Sequence, residues 1–133
     1  MLDFSTLSHI VLFAIKSKIE TDLARLLKLG VIKPVQTAEF GATPIVPVLK
    51  PNGAVRICGD FIVTVNTYAE MQRFPLPHPE GLRAAIAGGK IFSKVDLADA
   101  YLQLEVDPES RKYLVLSTHK GLFRYTRLPF GFH

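Results

Sequence analysis

One cysteine, Cys58, is present among 133 residues, so no disulfide framework can close within the chain and no cysteine-rich zinc cage can form. Such usage suits a reducing compartment. Long apolar runs are also missing. No span reaches the roughly 18 apolar residues that a membrane helix needs. The most apolar stretch, Leu7 to Ile15, is broken by Ser8 and His9. It has the length of a signal-peptide core, but Asp3 precedes it where a cation is wanted, and Lys16 and Lys18 follow it. The expectation is a leader over residues 1–16, no membrane partner, and an intracellular location in cytoplasm or nucleus. Familiar chemical signatures are absent as well. There is no G-x-x-x-x-G-K-[ST] loop, no G-x-S-x-G elbow and no Cys–His pair with a base. His9, His78, His119 and His133 show no metal-ligand spacing.

What is present bounds a folded domain. Apolar residues make up 48% and charged residues 21%, which excludes global disorder. A chain of this length buries roughly two thirds of its unfolded surface, enough for one core. Sixteen Lys and Arg against twelve Asp and Glu leave a net charge of +4. That balance permits a polyanionic partner such as nucleic acid without demanding one.

Ser17 and Glu20 have capping-box spacing, and Ile19, Leu23, Leu26 and Leu27 fall on one helical face. Lys28 suits the negative helix end and Gly30 supplies a stop, so the pattern predicts a helix over 17–29. From Val31 the period changes, and Pro34, Gly41, Pro44, Pro47 and Pro51 punctuate extended segments. Ile45 to Leu49 reads as an edge strand because Pro47 cannot donate to a central ladder. Lys50-Pro-Asn-Gly53 is turn chemistry, and Val55 to Phe61 returns as the second strand of a hairpin. Residues 62–78 read as a loop. Pro79 to Ala87 has a proline-started helix signature with Leu82, Ala85 and Ile86 on a face. Short β-type runs follow at Ile91 to Asp96 and Leu102 to Val106, and Leu114 to Ser117 with Leu122 to Leu128 frames another hairpin. The irregular mixture predicts an α+β fold.

One segment concentrates chemistry. In Ile91-Phe-Ser-Lys-Val-Asp96-Leu-Ala-Asp99-Ala-Tyr101 a β-type run ends on a carboxylate, with a second carboxylate three residues on and then an aromatic. A strand end holds a carboxylate rigidly, and the turn after it can aim free amides at an anion. An aspartate capping a turn reads the same way in isolation. Lys50 and Arg56 flank the hairpin turn, where long cations reach a triphosphate or simply face solvent. Arg111, Lys112, Lys120, Arg124 and Arg127 form a loose basic group that fits phosphate contacts or a solvated face.

Taken in order, these motifs resemble the reverse transcriptase domain of gypsy-type LTR retrotransposons and, more distantly, of retroviruses. The resemblance rests on Leu26-Leu-Lys-Leu-Gly-Val-Ile-Lys-Pro34, Thr43-Pro-Ile-Val-Pro-Val-Leu-Lys-Pro-Asn-Gly-Ala-Val-Arg56, Cys58-Gly-Asp-Phe61 with Asn66, and Phe74-Pro-Leu-Pro-His-Pro79. It continues through Phe92-Ser-Lys-Val-Asp-Leu-Ala-Asp-Ala-Tyr101 to Phe123-Arg-Tyr-Thr-Arg-Leu-Pro-Phe-Gly131. It covers residues 17–133 and leaves 1–16 unmatched. It implies fingers and a partial palm, with an antiparallel sheet and packed helices. By resemblance, Asp96 is the first catalytic carboxylate and a metal ligand, joined by the Leu97 carbonyl. Lys50 and Arg56 match cations that close over the nucleotide phosphates, and Asp99 and Ala100 match the turn whose amides approach them. Tyr101 matches the aromatic gate that rejects a 2′-hydroxyl, while Phe130 and Gly131 match the lining of the nucleotide and template pocket. The implied partners are an RNA or DNA template–primer, dNTP and the remainder of the polymerase domain, with Mg²⁺ as cofactor of the complete enzyme.

The family's [YF]-x-D-D hairpin would fall beyond Phe130, and no Asp-Asp pair occurs anywhere in this sequence. Ile62 stands where relatives usually have Arg, and Gly59 where they usually have Val. The resulting expectation is a fragment of an RNA-directed DNA polymerase that is inactive alone, with weak or absent Mg²⁺ binding. The alternative is a non-catalytic nucleic-acid-binding or interaction module derived from such a domain. An open sheet edge and an exposed apolar face are expected in either case.

Overall fold

A computed structural model describes residues 15–70 and 74–132. Most of the leader and both His9 and His133 lie outside the described residues. In chain order the elements are helix α1 (Lys16–Lys28), strands β1 (Ile32–Val35), β2 (Thr43–Leu49) and β3 (Val55–Gly59), helix α2 (Pro79–Ala85), and strands β4 (Val115–Thr118) and β5 (Gly121–Tyr125). Short 3-10 turns fill Phe61–Val63, Val65–Thr67, Ala100–Gln103 and Arg111–Tyr113. The five strands form one sheet in the order β1-β5-β4-β2-β3.

Helix α1 forms where the apolar period placed it, but its start differs from expectation. Ile15 is the N-cap residue and no side chain caps the helix. Ser17 therefore lies inside the first turn, and its carbonyl accepts from Thr21 Oγ1 at 2.9 Å. Glu20 is drawn away instead: His119 Nε2 sits 3.0 Å and Lys120 Nζ 3.3 Å from its carboxylate. The buried face of α1 consists of Ile19, Asp22, Leu23 and Leu26, whereas Leu27 is exposed. An aspartate thus occupies a place on the apolar stripe.

That stripe packs on the sheet. The core gathers Ile19, Leu23 and Leu26 with Ile32, Val55, Ile57, Phe61, Leu116, Phe123 and Tyr125. Each side chain of this size contributes about 1.5–3 kcal/mol on burial, so this face supplies most of the driving force for folding. Gly59 lies against Phe61. A Cβ there would stand 2.6 Å from one ring carbon of Phe61 and 3.0 Å from Leu116 Cδ2. The glycine makes the room that the ring fills.

The sheet is mixed and not wholly antiparallel. β1–β5, β4–β5 and β2–β3 pair antiparallel, while β2 and β4 pair parallel through Thr43–Leu116 and Pro44–Ser117. β2 is consequently interior in strand order, not an edge, at its first two residues. Beyond them it pairs only with β3, which leaves room for Pro47. The β2–β3 hairpin closes as its turn chemistry requires, with Gly53 at φ 80° and Gly53 N donating to Lys50 O at 2.9 Å.

The middle of the chain departs from the sequence reading. Ile91 to Asp96 forms no strand, and Ile91, Phe92, Val95 and Leu97 are exposed. A β-type run needs a neighbouring strand to take up its backbone groups, and none of the described strands lies beside it. Leu102 to Val106 contributes only an isolated bridge between Glu105 and Arg127. α2 forms over a shorter range, and its predicted face is open, with Leu82 and Ile86 exposed. Among the described residues, no helix is long and apolar enough to cross a membrane.

Candidate functional site

Three residues far apart in the chain meet around one ring. Phe130 lies edge-on to Tyr101, with ring centroids 5.2 Å apart at 76°. The Arg56 guanidinium carbon sits 4.4 Å above the centroid of the same Phe130 ring. Arg56 reaches this position because β3 alternates. Val55, Ile57 and Gly59 turn into the core, which leaves Arg56 and Cys58 on the half-buried opposite side. Arg56 Nε is buried with no hydrogen-bond partner among the described residues. A guanidinium stacked on an aromatic face keeps its remaining N–H groups available for an anion. Gly131 follows at φ 85°, close enough that a Cβ on it would stand 3.3 Å from the Gly59 carbonyl. The Gly131 carbonyl accepts from Asn66 Nδ2 at 2.8 Å.

Asp99 and Ala100 enter the same neighbourhood through the turn that precedes Tyr101. Asp99 adopts φ 47° and ψ 48° and is the non-glycine residue with positive φ among the described residues. Aspartate tolerates this left-handed conformation better than most side chains. Leu102 N donates to Asp99 O, and Gln103 Nε2 donates to Ala98 O, both at 2.9 Å, which closes the turn. The Asp99 carboxylate accepts from Arg25 NH1 at 3.0 Å.

Arg25 and Asp22 carry no role in the sequence reading, yet they join these parts. Asp22 is buried; one of its carboxylate oxygens accepts from Arg25 Nε and the other from Ile57 N, each at 2.8 Å. Burial works against the Arg25 charge, but hydrogen bonds and charges from Asp22 and Asp99 outweigh it and hold its pKa above the usual arginine value. The signal was an aspartate on the apolar stripe of α1, three residues before an arginine. Lys50 shares a second space with Arg25. With Lys18, Thr21, Asp22, Arg25 and Gly53 it lines a hollow of about 250 Å³ between α1 and the hairpin. Lys18 Nζ there donates to Gly53 O at 2.7 Å. Arg56 does not line that hollow, so the two hairpin cations border different spaces.

Asp96 and Leu97 lie just before this turn, in an exposed segment with no regular structure. The strand end expected to hold Asp96 is not formed. A small hard cation takes about six oxygens in near-octahedral geometry. Asp96 offers a carboxylate and Leu97 a carbonyl, while the Asp99 carboxylate already pairs with Arg25. No group of three His, Cys, Asp or Glu that could hold an ion occurs among the described residues. These residues do not fit Mg²⁺ unaided.

The basic residues near β4 and β5 are largely structural. Arg111 Nε donates to Val106 O at 2.8 Å, and Lys112 lies 5.3 Å from the Phe40 ring centroid. Lys120 pairs with Glu20, and Arg127 with Glu105 at 3.0 Å.

No family model matches the sequence. Curated relatives do. An uncharacterized protein of Caenorhabditis elegans, K02A2.6, is 40% identical over 114 residues, which is 85% of this chain and 9% of that protein. The transposon Tf2-3 polyprotein of Schizosaccharomyces pombe is 33% identical over 105 residues, 79% of this chain and 8% of the polyprotein. Among solved structures, prototype foamy virus protease-reverse transcriptase superposes with a TM-score of 0.75 at 30% identity over 90% of this chain and 16% of the viral one. A foamy viral protease-reverse transcriptase in complex with double-stranded DNA gives 0.69 at 27% identity, over 88% of this chain and 20% of that one. The chain thus spans less than a tenth of these curated relatives.

Proposed function

For a chain related over most of its length to one segment of retrotransposon and retroviral Pol polyproteins, we propose the nucleotide-handling part of an RNA-directed DNA polymerase, with residues 17–133 contributing fingers and part of the palm. One observation carries this reading: Arg56, Tyr101 and Phe130, which the motif order assigns to a nucleotide pocket, gather around a single ring.

Each residue then has a task. The Arg56 guanidinium, steadied on Phe130, offers free donors to a phosphate, and Lys50 adds charge at the turn of the same hairpin. The amides of Asp99 and Ala100 meet the triphosphate at the left-handed turn. Tyr101 lies under the sugar and favours deoxynucleotides by leaving no room for a 2′-hydroxyl. Phe130 and Gly131 floor the pocket for the templated base pair. In the complete polymerase the primer 3′-hydroxyl attacks the α-phosphorus and pyrophosphate leaves. Asp96 and the Leu97 carbonyl serve that step only together with carboxylates outside the described residues. Template–primer would be held mainly through its phosphates, as the double-stranded DNA is a partner of the foamy viral relative.

The 133-residue polypeptide by itself is then inactive. Given primed template, Mg²⁺ and deoxynucleotides, it should extend no primer, and robust extension would sink that statement. It should still bind template–primer at low salt, with affinity falling as salt rises.

A second reading, a non-catalytic nucleic-acid-binding module, draws on the exposed, irregular segment that carries Asp96. The two part over Tyr101→Ala. Binding of a deoxynucleoside triphosphate in preference to a ribonucleoside triphosphate, lost in this variant, supports the polymerase reading. Binding of nucleic acid alone, unmoved by the variant, supports the module.

A further inference from the structure

The Asp22–Arg25–Asp99 chain of contacts joins the proposed nucleotide turn to the proposed phosphate-binding hairpin. Arg25 uses two nitrogens for two carboxylates, Nε to Asp22 and NH1 to Asp99. Asp22 passes the connection to Ile57 N, one residue from Arg56 on β3. β3 ends the strand order, so its outward amide would otherwise lack a strand partner, and α1 supplies one through Asp22. On the opposite side, the Asp99 backbone is held in a conformation that L residues adopt at a cost. Gln103 and Leu102 tie the carbonyls around it, while Arg25 ties its carboxylate. A planar fork of donors suits this double duty, which a point charge such as lysine does not reproduce.

We propose that Arg25 is a positioning residue of the nucleotide site: by gripping the Asp99 carboxylate it fixes the left-handed turn whose Asp99 and Ala100 amides receive the triphosphate. The proposal rests on the reading of that turn as a nucleotide contact. Arg25 itself touches no phosphate in this account. It sets the direction of amides that do, and it couples their position to the Arg56 strand.

The test uses the ¹⁵N-labelled 133-residue chain with a deoxynucleoside triphosphate and Mg²⁺ as the probe. A positive φ brings the amide and α protons of Asp99 close, and the chain should show a strong intraresidue cross-peak there. Arg25→Met should weaken that cross-peak and lower nucleotide affinity roughly threefold to fivefold, the scale of a half-exposed ion pair. Template–primer affinity should not change. Arg25→Met also removes a partner from buried Asp22 and can loosen the fold, so Asp99→Asn provides an independent route. Asparagine tolerates the same backbone conformation, leaves Asp22 untouched, and should reproduce the loss. The double variant should be no worse than either single one. An intraresidue cross-peak at position 99 that is unchanged in both variants overturns the proposal whatever happens to affinity, and so does an equal loss of template–primer binding. Failure of the unsubstituted chain to bind any nucleotide would instead defeat the nucleotide reading, while the cross-peak still reports whether Arg25 sets the turn.

Discussion

Replacing Asp22 by alanine should be among the most damaging single changes in α1, and its cost can be worked from the contacts it removes. The residue is 6% exposed, and its two carboxylate oxygens accept from Ile57 N and Arg25 Nε, both at 2.8 Å. Truncation leaves the Ile57 amide buried without a partner, about 1–3 kcal/mol on the usual scale for such a group. Losing the pair with Arg25, which is half in solvent, adds about 0.2–1 kcal/mol. The sum is about 1–4 kcal/mol, a large share of a small domain's stability. Urea unfolding of the 133-residue chain followed by circular dichroism reads it as a fall in midpoint at constant slope. Asp22→Asn keeps an acceptor for Ile57 and should lose only about 1 kcal/mol of the total. If Asp22→Ala falls within about 0.5 kcal/mol of the parent, as neutral surface changes do, the bridge from α1 to β3 is not a stabilising contact and the reasoning fails.

Gly59→Ala should destabilise by about 1–3 kcal/mol, because the new methyl meets the Phe61 ring; pairing it with Phe61→Leu should recover part of that loss in the same urea titration. Glu20 has its pKa lowered, chiefly by the hydrogen bond from His119, with further pull from Lys120. A depressed carboxylate stabilises above its unfolded pKa and loses that contribution as pH falls through the folded value, so stability should drop on acidification below about pH 4.5. Glu20→Gln should flatten that acid limb, and an unchanged pH profile would contradict the link. Burial pushes the Tyr125 phenol well above its ordinary value of 10.0. Its neutral form is favoured in the fold, so the contribution is complete below pH 10 and is lost as pH rises beyond it. Tyr125→Phe should remove the alkaline part of the loss, measured as melting temperature against pH. Phe130→Ala should free Arg56 and open the Tyr101 contact, weakening deoxynucleotide binding by roughly fivefold, on the order of one cation–π or aromatic contact.

How much of this was legible in the sequence depends on the range of the interaction. The β2–β3 hairpin was readable because Lys50-Pro-Asn-Gly53 carries its own turn chemistry, with Gly53 at positive φ. α1 was readable because its period comes from the chain itself. Its capping box was not, since Glu20 is claimed by His119 and Lys120 from the β4–β5 turn. The buried side of α1 was misjudged at Leu27 and Asp22 for a related reason. Only the fold shows that an amide of β3 waits opposite Asp22. A strand at Ile91 to Asp96 was wrong, because residue type favours extension while the ladder must come from another segment. The candidate site came from motif order, not from spacing. Arg56, Tyr101 and Phe130 are neighbours, whereas Asp96 sits in an exposed irregular segment and Arg25 was missed, its partner Asp99 being 74 residues away.

The central claim, that this chain handles a deoxynucleoside triphosphate at the Arg56–Phe130–Tyr101 cluster, is tested most directly by photocrosslinking a base-modified deoxynucleoside triphosphate to it in the presence of template–primer and Mg²⁺. Mass spectrometry of the labelled peptides should place the adduct within Arg56, Asp99 to Tyr101 or Phe130 to Gly131, with unmodified deoxynucleotide competing better than ribonucleotide. Label confined to other surfaces, such as the hollow beside Phe40 and Tyr113, or competed equally by both nucleotides, would contradict the account.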